Sequence, residues 1–206
     1  MTRTGLTVCL VASIAAIGTG CSKDKPAQAP QTTSGTVAGE NQANALAASD
    51  IFAVLRELRE GQVKQGKLAM GSASDPRVKV FAGEVVNDQM ARMQREEQLM
   101  KVLDIKPRDN AISERVNHFE GQQAAQLKSL SGPTFDQGYL DSQIEYFRMV
   151  LDTYDRDLIP NATDSQIRSN LVEGRARANR FLETAQNIRG SLVAHPPQPQ
   201  PQQPQD

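Results

Sequence analysis

The fold is decided by one stretch of the chain, residues 140–158, which reads LDSQIEYFRMVLDTYDRDL. Large apolar side chains recur in it at every third or fourth position, a spacing that places them on one face of an α-helix. The members of this apolar face are Leu140, Ile144, Phe147, Leu151, Tyr154 and Leu158. Because such a helix needs other helices to cover its apolar face, the stretch predicts a helical bundle.

The same periodicity extends outward from this stretch and predicts helices over residues 45–72, 76–104, 111–130, 135–158 and 164–190. Strand signals are missing, since the sequence has no alternating β-branched run and no Asn-Gly or Asp-Gly hairpin turn. Short connections between amphipathic helices favour antiparallel neighbours. We therefore expect one all-α domain over residues 44–190.

Local signals predict where three of these helices begin. Asp75 followed by Pro76 is typical of an N-cap with proline at the first helical position. The sequences TFDQ and TDSQ, which begin at Thr134 and Thr163, both fit a capping box.

Three glycines interrupt the first predicted helix, at Gly61, Gly66 and Gly71. Their spacing of five does not place them on one face of the helix. Close contact with another helix and a local bend are both compatible with this pattern.

The N-terminus has the order of a bacterial lipoprotein signal peptide. An apolar run at residues 6–17 follows Arg3 and leads through small residues to Cys21. A membrane-spanning helix needs about 20 apolar residues, so the run predicts a signal peptide instead. We expect cleavage after residue 20 and acylation of the Cys21 thiol. The alternative is an ordinary secretory signal in which Cys21 is incidental.

Both flanks of the predicted domain have unusual compositions. Residues 21–43 are rich in Ala, Gln, Thr, Ser and Gly, which predicts a lipidated N-terminus followed by a flexible tether. Residues 191–206 are rich in Pro and Gln and predict a disordered tail, or alternatively a spacer or docking segment for an envelope partner. The net charge of −1 gives no basic excess for nucleic-acid binding.

Several short motifs together resemble one known family. They are GKLA at 66–69, ASDPRVKVFA at 73–82 and LSG at 130–132, with FD at 135–136 and YL at 139–140. In this order they resemble the family called domain of unknown function 4142, over about residues 45–190. The resemblance implies a ferritin-like antiparallel four-helix bundle with one additional short helix, in a bacterial envelope protein. The lipid would attach the protein to a membrane, and Ser22 resembles the sorting pattern for the outer membrane, facing the periplasm.

The same resemblance implies a test for a metal site, because many members carry acid and His residues on facing helices. Acidic and imidazole groups are the usual ligands in the interior of a helical bundle. This chain has amide, aromatic or guanidinium side chains at most of these positions, which are poor ligands for a divalent metal. The matching positions are Gln62, Asp88-Gln89, Tyr146-Phe147 and Arg177. We therefore expect no metal, no cofactor and no catalytic residue here.

Three polar residues on or facing the apolar stripes are the remaining candidates for a site. Gln89 and Glu96 fall on the stripe of the second helix, and Gln62 is expected to face them. One interpretation is a residual polar pocket that binds a metal weakly or a small ligand. Another is a hydrogen-bonded layer that fixes helix register. A third is that Glu96 reaches solvent at the edge of the stripe.

The other polar groups have simpler interpretations. Arg92–Glu96, Glu97–Lys101 and Glu173–Arg177 are opposite charges four positions apart, typical of a solvated helix face. His118 is predicted to lie on the polar side of the third helix, and His195 belongs to the tail.

Three functional hypotheses follow. The first is a membrane-anchored periplasmic lipoprotein with a non-enzymatic binding or structural role. Its partner would be an envelope protein or a small ligand. The second is a ferritin-like protein that binds iron or manganese, or a redox enzyme, and it depends only on the resemblance. The third is a small-ligand carrier. The sequence has no Gly-rich phosphate loop, serine elbow or Cys–His pair that would identify an enzyme.

Overall fold

The computed structural model describes residues 46–194, which fold as five α-helices and one π-helical turn. The elements are α1 (Ala48–Ser72), α2 (Pro76–Val102), α3 (Ala111–Lys128), α4 (Gly132–Thr153), the π-helical turn (Tyr154–Leu158) and α5 (Ser165–Ala194). No β-strand occurs among these residues, so the all-α fold predicted from the apolar periodicity is confirmed. The last helix continues to Ala194, four residues beyond its expected end.

Some of the predictions concern parts of the chain that the structure does not describe. The signal peptide, Cys21, the tether and residues 195–206 of the tail, with His195, lie outside the described residues. They remain predictions.

The helix α1 lies at the centre of the bundle. It packs against α2, α3 and α4, whereas α4 packs mainly against α5. Five consecutive residues of α1, 51–55, are buried, so this part of the helix is covered around its whole circumference. A helix enclosed in this way can direct polar as well as apolar side chains into the interior.

The helix starts follow the sequence signals only in part. Asp75 caps α2 as predicted, and its side chain accepts a hydrogen bond from the Arg77 backbone N–H at 2.8 Å. The capping box predicted at Thr134 is wrong, because α4 already begins at Gly132. Thr163 does not cap α5 either. The Asp164 side chain takes this role, since it accepts hydrogen bonds from the backbone N–H groups of Gln166 and Ile167 at 2.8 and 3.0 Å.

Asp136 has a different role from the one that the capping box assigns it. Its carboxylate is buried and accepts hydrogen bonds from the backbone N–H groups of Ser74 and Asp75, both at 2.9 Å. It also accepts a hydrogen bond from the Ser74 hydroxyl. The first turn of α4 is thereby fixed to the connection between α1 and α2.

Close packing accounts for two of the three glycines in α1. A Cβ atom at Gly61 would overlap the carboxylate of Glu120 on α3. A Cβ atom at Gly66 would overlap the side chain of Val86 on α2. Gly71 faces open space. The first two glycines therefore let α2 and α3 approach α1 closely.

An aromatic layer connects α2, α4 and α5. Its members are Phe81, Phe135, Tyr139, Phe147 and Phe181. The Phe81 ring lies edge-on to both Tyr139 and Phe181, with centroid separations of 6.3 and 6.1 Å. These separations fall in the range in which aromatic pairs stabilise beyond simple burial.

Candidate functional site

Polar side chains from four elements meet inside the bundle, and we call this group the polar centre. Its members are Arg59 of α1, Gln89, Arg92 and Glu96 of α2, Tyr154 of the π-helical turn and Asn170 of α5. All except Asn170 are buried. Charged groups are rarely buried to this degree unless they are paired, so the contacts of the polar centre determine its chemistry.

Arg59 joins α1 to two other elements. Its Nη1 atom donates a hydrogen bond to Gln89 Oε1 at 3.1 Å. Its Nη2 atom donates to Glu96 Oε1 at 3.0 Å and to the Tyr154 hydroxyl at 2.6 Å. The guanidinium group therefore occupies the space between α1 and α2 that the sequence assigns to a pocket.

Arg92 connects the polar centre to α5. Its Nη2 atom donates to the backbone carbonyl of Asn170 at 2.8 Å and lies 3.9 Å from Glu96 Oε1. The Asn170 amide donates to the same Glu96 oxygen at 3.3 Å. A Cβ atom at Gly174 would lie 2.7 Å from Arg92 Nη2, so a glycine at this position of α5 is needed for the contact.

The charges of the polar centre are not balanced by its own members. Burial alone would lower the pKa of Arg59, but Glu96 and Tyr154 outweigh this effect and raise the pKa above its ordinary value. Burial, together with the nearby charge of Arg59, lowers the pKa of Arg92. Arginine keeps its proton in proteins, so two cations share the single carboxylate of Glu96.

The residues predicted to form a polar pocket are only partly brought together. Gln89 and Glu96 are joined through Arg59. Gln62 is buried, but its amide makes no hydrogen bond with any group in the described part of the chain. Gln65 lies close by on α1 and accepts a hydrogen bond from Gln143 of α4 at 3.2 Å.

Most of the positions at which the family resemblance implies a metal site converge in the structure. Asp88, Gln89, Tyr146, Phe147 and Arg177 all line one cavity of about 10 Å³. Arg59 and Arg92 line it as well.

The side chains at these positions do not fit a divalent metal. No three His, Cys, Asp or Glu side chains in residues 46–194 are close enough to hold an ion together. Gln89 Oε1 and Glu96 Oε1 accept hydrogen bonds from the Arg59 guanidinium, and the Asp88 carboxylate is paired with Arg177. A divalent cation beside two buried guanidinium groups would also experience strong like-charge repulsion.

A second buried acid, Glu120 of α3, lies beside Gly61 of α1. It is 7 % exposed, and its carboxylate covers Gly61. Burial, followed by the nearby charge of Glu57, raises the pKa of Glu120 to about 9. The side chain is therefore neutral at pH 7 and can be accommodated in the interior without a counter-ion.

Sequence reasoning missed Arg59 and Glu120 and misjudged Arg92. The interpretation of Arg92–Glu96 as a solvated pair is wrong, because both side chains are at most 5 % exposed. For Arg59, the sequence did contain one signal of burial. Arg59 follows Leu55 by four positions and therefore falls on the apolar stripe of α1. The exposed Glu97–Lys101 pair at 3.0 Å is as predicted, whereas Arg177 pairs with Asp88 of α2.

A shallower pocket of about 290 Å³ lies on the surface beside His118. His118 is exposed, as predicted, and its ring is 3.0 Å from the Gln122 amide. Glu57, which also lines this pocket, is already bound by Arg56 and Asn117. In this pocket the His118 ring therefore lies against an amide, and the Glu57 carboxylate is engaged by other side chains.

Comparison with known proteins assigns a family but no function. None of the helices in residues 46–194 combines the length and apolar content that a membrane-crossing helix requires. No curated protein and no solved structure shows significant similarity to the chain. Residues 32–188 match the family described as Domain of unknown function (DUF4142), and this match spans most of the sequence. The chain therefore belongs to the DUF4142 family.

Proposed function

We propose that this protein is a lipid-anchored envelope protein whose helical bundle has a non-enzymatic binding or structural role. The observation that carries the proposal is the position of the Arg59 guanidinium, which donates hydrogen bonds to Gln89 Oε1 and Glu96 Oε1, two of the oxygens that a metal would need. The ferritin-like arrangement belongs to the same proposal, and its support is the set of four long helices, α1, α2, α4 and α5, around a polar interior.

The energetics of the polar centre favour a structural role over metal chemistry. A guanidinium group that donates to Gln89, Glu96 and Tyr154 uses its planar geometry to connect three separate positions. Paired polar groups inside a core make it rigid and specify one arrangement of its helices, and Arg59 makes three such pairings. Displacing the guanidinium to seat a metal would leave a buried cation without its partners.

Elemental analysis of the purified mature protein tests the first part of the proposal. After dialysis against a buffer without chelator we expect no stoichiometric iron or manganese. A matched sample of the Arg59→Gln variant shows whether removing the guanidinium alone creates a metal site. One equivalent of transition metal retained by the unaltered protein would overturn the non-metal proposal.

The anchor is tested separately by mass spectrometry of the mature N-terminus. The apolar run before Cys21 and the polar residues after it support cleavage at this position. Mature lipoproteins carry two or more acyl chains, which is enough for stable membrane attachment. We expect lipid on Cys21 and a membrane-bound protein, with the Cys21→Ser variant released into the soluble periplasmic fraction. An unmodified Cys21 would contradict the anchor and leave the bundle's role open to other locations.

A small-ligand carrier is the second candidate, and a groove between α1 and α2 favours it. The groove has a volume of about 220 Å³ and is lined by Phe52, Met93 and Met100 with charged side chains at its edge. Methionine side chains adapt to ligands of different shape. A thermal-shift screen with lipids and small metabolites tests this role. A reproducible rise in melting temperature that Met93→Ala abolishes would support it, and a flat response would contradict it.

A further inference from the structure

We propose that the cavity lined by Arg59, Arg92 and Arg177 binds a small monovalent anion of about the size of chloride. The inference goes beyond the proposed function and does not depend on the lipid anchor. It follows from three properties of the cavity, which are its charge, its free hydrogen-bonding groups and its volume.

The charge around the cavity is positive. Arg59, Arg92 and Arg177 line it, whereas the carboxylates bonded to them are only Glu96 and Asp88. One positive charge therefore remains without a counter-ion among the described residues. Because Arg92 is 1 % exposed, bulk solvent screens this charge poorly.

The polar atoms that lack partners here are all donors. Arg59 Nε, Arg92 Nε and Arg92 Nη1 are buried and make no hydrogen bond within residues 46–194. Each unsatisfied buried donor is unfavourable, and more so on a charged group. A water molecule could accept from them but would need acceptors for its own hydrogens, whereas an anion only accepts and also compensates the charge.

The volume selects the size of the anion. A cavity of about 10 Å³ accommodates one water-sized particle. Phe147, Val150 and Ala178 form the apolar part of its wall and leave no room for a carboxylate or phosphate group. A monatomic anion is therefore the class that matches the charge, and chloride, which is larger than water, enters only with a small outward shift of the arginine side chains around the cavity.

Thermal unfolding of the mature protein in sodium chloride, bromide and gluconate at equal ionic strength tests the proposal. We expect a saturable rise in melting temperature of about 2–4 °C with chloride or bromide relative to gluconate. The matched variants are Gln89→Glu, which supplies a carboxylate beside Arg59, and Arg180→Gln, which removes an exposed arginine outside the cavity. The halide effect should disappear in Gln89→Glu and persist in Arg180→Gln.

Crystals grown or soaked in bromide provide the direct test. An anomalous peak beside Arg92 Nε and Nη1 would support the assignment. Equal melting temperatures in chloride and gluconate, or a cavity occupied without anomalous signal, would overturn it. A halide effect that persists in Gln89→Glu would also overturn it, because the effect would then arise elsewhere on the protein.

Discussion

The aromatic layer and the polar centre are built by the same helices, but different forces stabilise them. In the aromatic layer, Phe81 packs against rings from α4 and α5 through contacts that require no exact partner atom. In the polar centre, Arg59 has three specific acceptors on two other elements. The first arrangement tolerates partial loss, whereas the second becomes unfavourable as soon as one charged partner is removed.

Removing Glu96 should have the largest effect of any single change considered. The Glu96→Ala variant leaves Arg59 and Arg92 buried without their shared carboxylate. Breaking a buried ion pair in this way costs about 3–5 kcal/mol. Denaturant unfolding measures the loss, and Glu97→Gln at the neighbouring, solvent-exposed position should change stability by less than about 1 kcal/mol. Equal effects of the two changes would show that the polar centre does not depend on its charge.

Replacing the whole charged group sharpens the same comparison. The combined variant Arg59→Met, Arg92→Met and Glu96→Leu removes the two buried cations together with the carboxylate that they share. Since exchange of a buried ion network for hydrocarbon is often neutral or stabilising, this variant should be more stable than Glu96→Ala alone. A combined variant that is less stable than the single one would mean that the hydrogen bonds, and not the unpaired charges, dominate.

Glu120 extends the comparison to pH. Its carboxyl is expected to ionise near pH 4.5 in the unfolded chain and at about pH 9 in the folded one. The folded state therefore holds one proton more between these values, and stability should fall as pH rises through this window, by up to about 1.4 kcal/mol per pH unit. Unfolding measured at several pH values should show this slope in the unaltered protein and lose it in Glu120→Gln.

The control for this prediction is Glu84→Gln, which changes an exposed acid on α2 that is not among the charges acting on Glu120. It should leave the dependence on pH unchanged. A slope that persists in Glu120→Gln would assign the titration to another group.

The apolar side of the comparison predicts a smaller effect. Phe81→Leu keeps an apolar side chain but removes the edge-on contacts with Tyr139 and Phe181. We expect a loss of about 1–2 kcal/mol, because the neighbouring side chains can relax into part of the space. Chemical denaturation measures it. A loss as large as that of Glu96→Ala would remove the distinction between the two regions.

The difference between the regions also explains what the sequence could predict. Apolar periodicity identified Phe147, Tyr154 and Leu158 as interior positions, because burial of such groups depends mainly on helix face. It also placed Gln89 and Glu96 on an interior stripe. It did not identify Arg59 as their partner, since a guanidinium group at the end of a long side chain is normally solvated.

The buried network depends on three-dimensional geometry that no local pattern contains. Glu120 is accommodated only because Gly61 lacks a side chain, and these residues are 59 positions apart in the sequence. Tyr154 accepts from Arg59 across 95 positions. Helix starts show the same limit at short range, because Thr163 and Asp164 are both good N-cap residues and only the backbone geometry selects between them.

The start of α5 provides the smallest predicted effect. Asp164 lies at the surface, so its hydrogen bonds to the N–H groups of Gln166 and Ile167 compete with water, unlike those of the polar centre. Asp164→Ala should cost about 1 kcal/mol, as is usual for loss of an N-cap, whereas Thr163→Ala should be within about 0.5 kcal/mol of the unaltered protein. Parallel thermal or denaturant unfolding of the two variants measures both values. The opposite order would identify Thr163 as the cap. An effect of Asp164→Ala as large as that of Glu96→Ala would show that burial does not determine how much a polar contact contributes to the stability of this bundle.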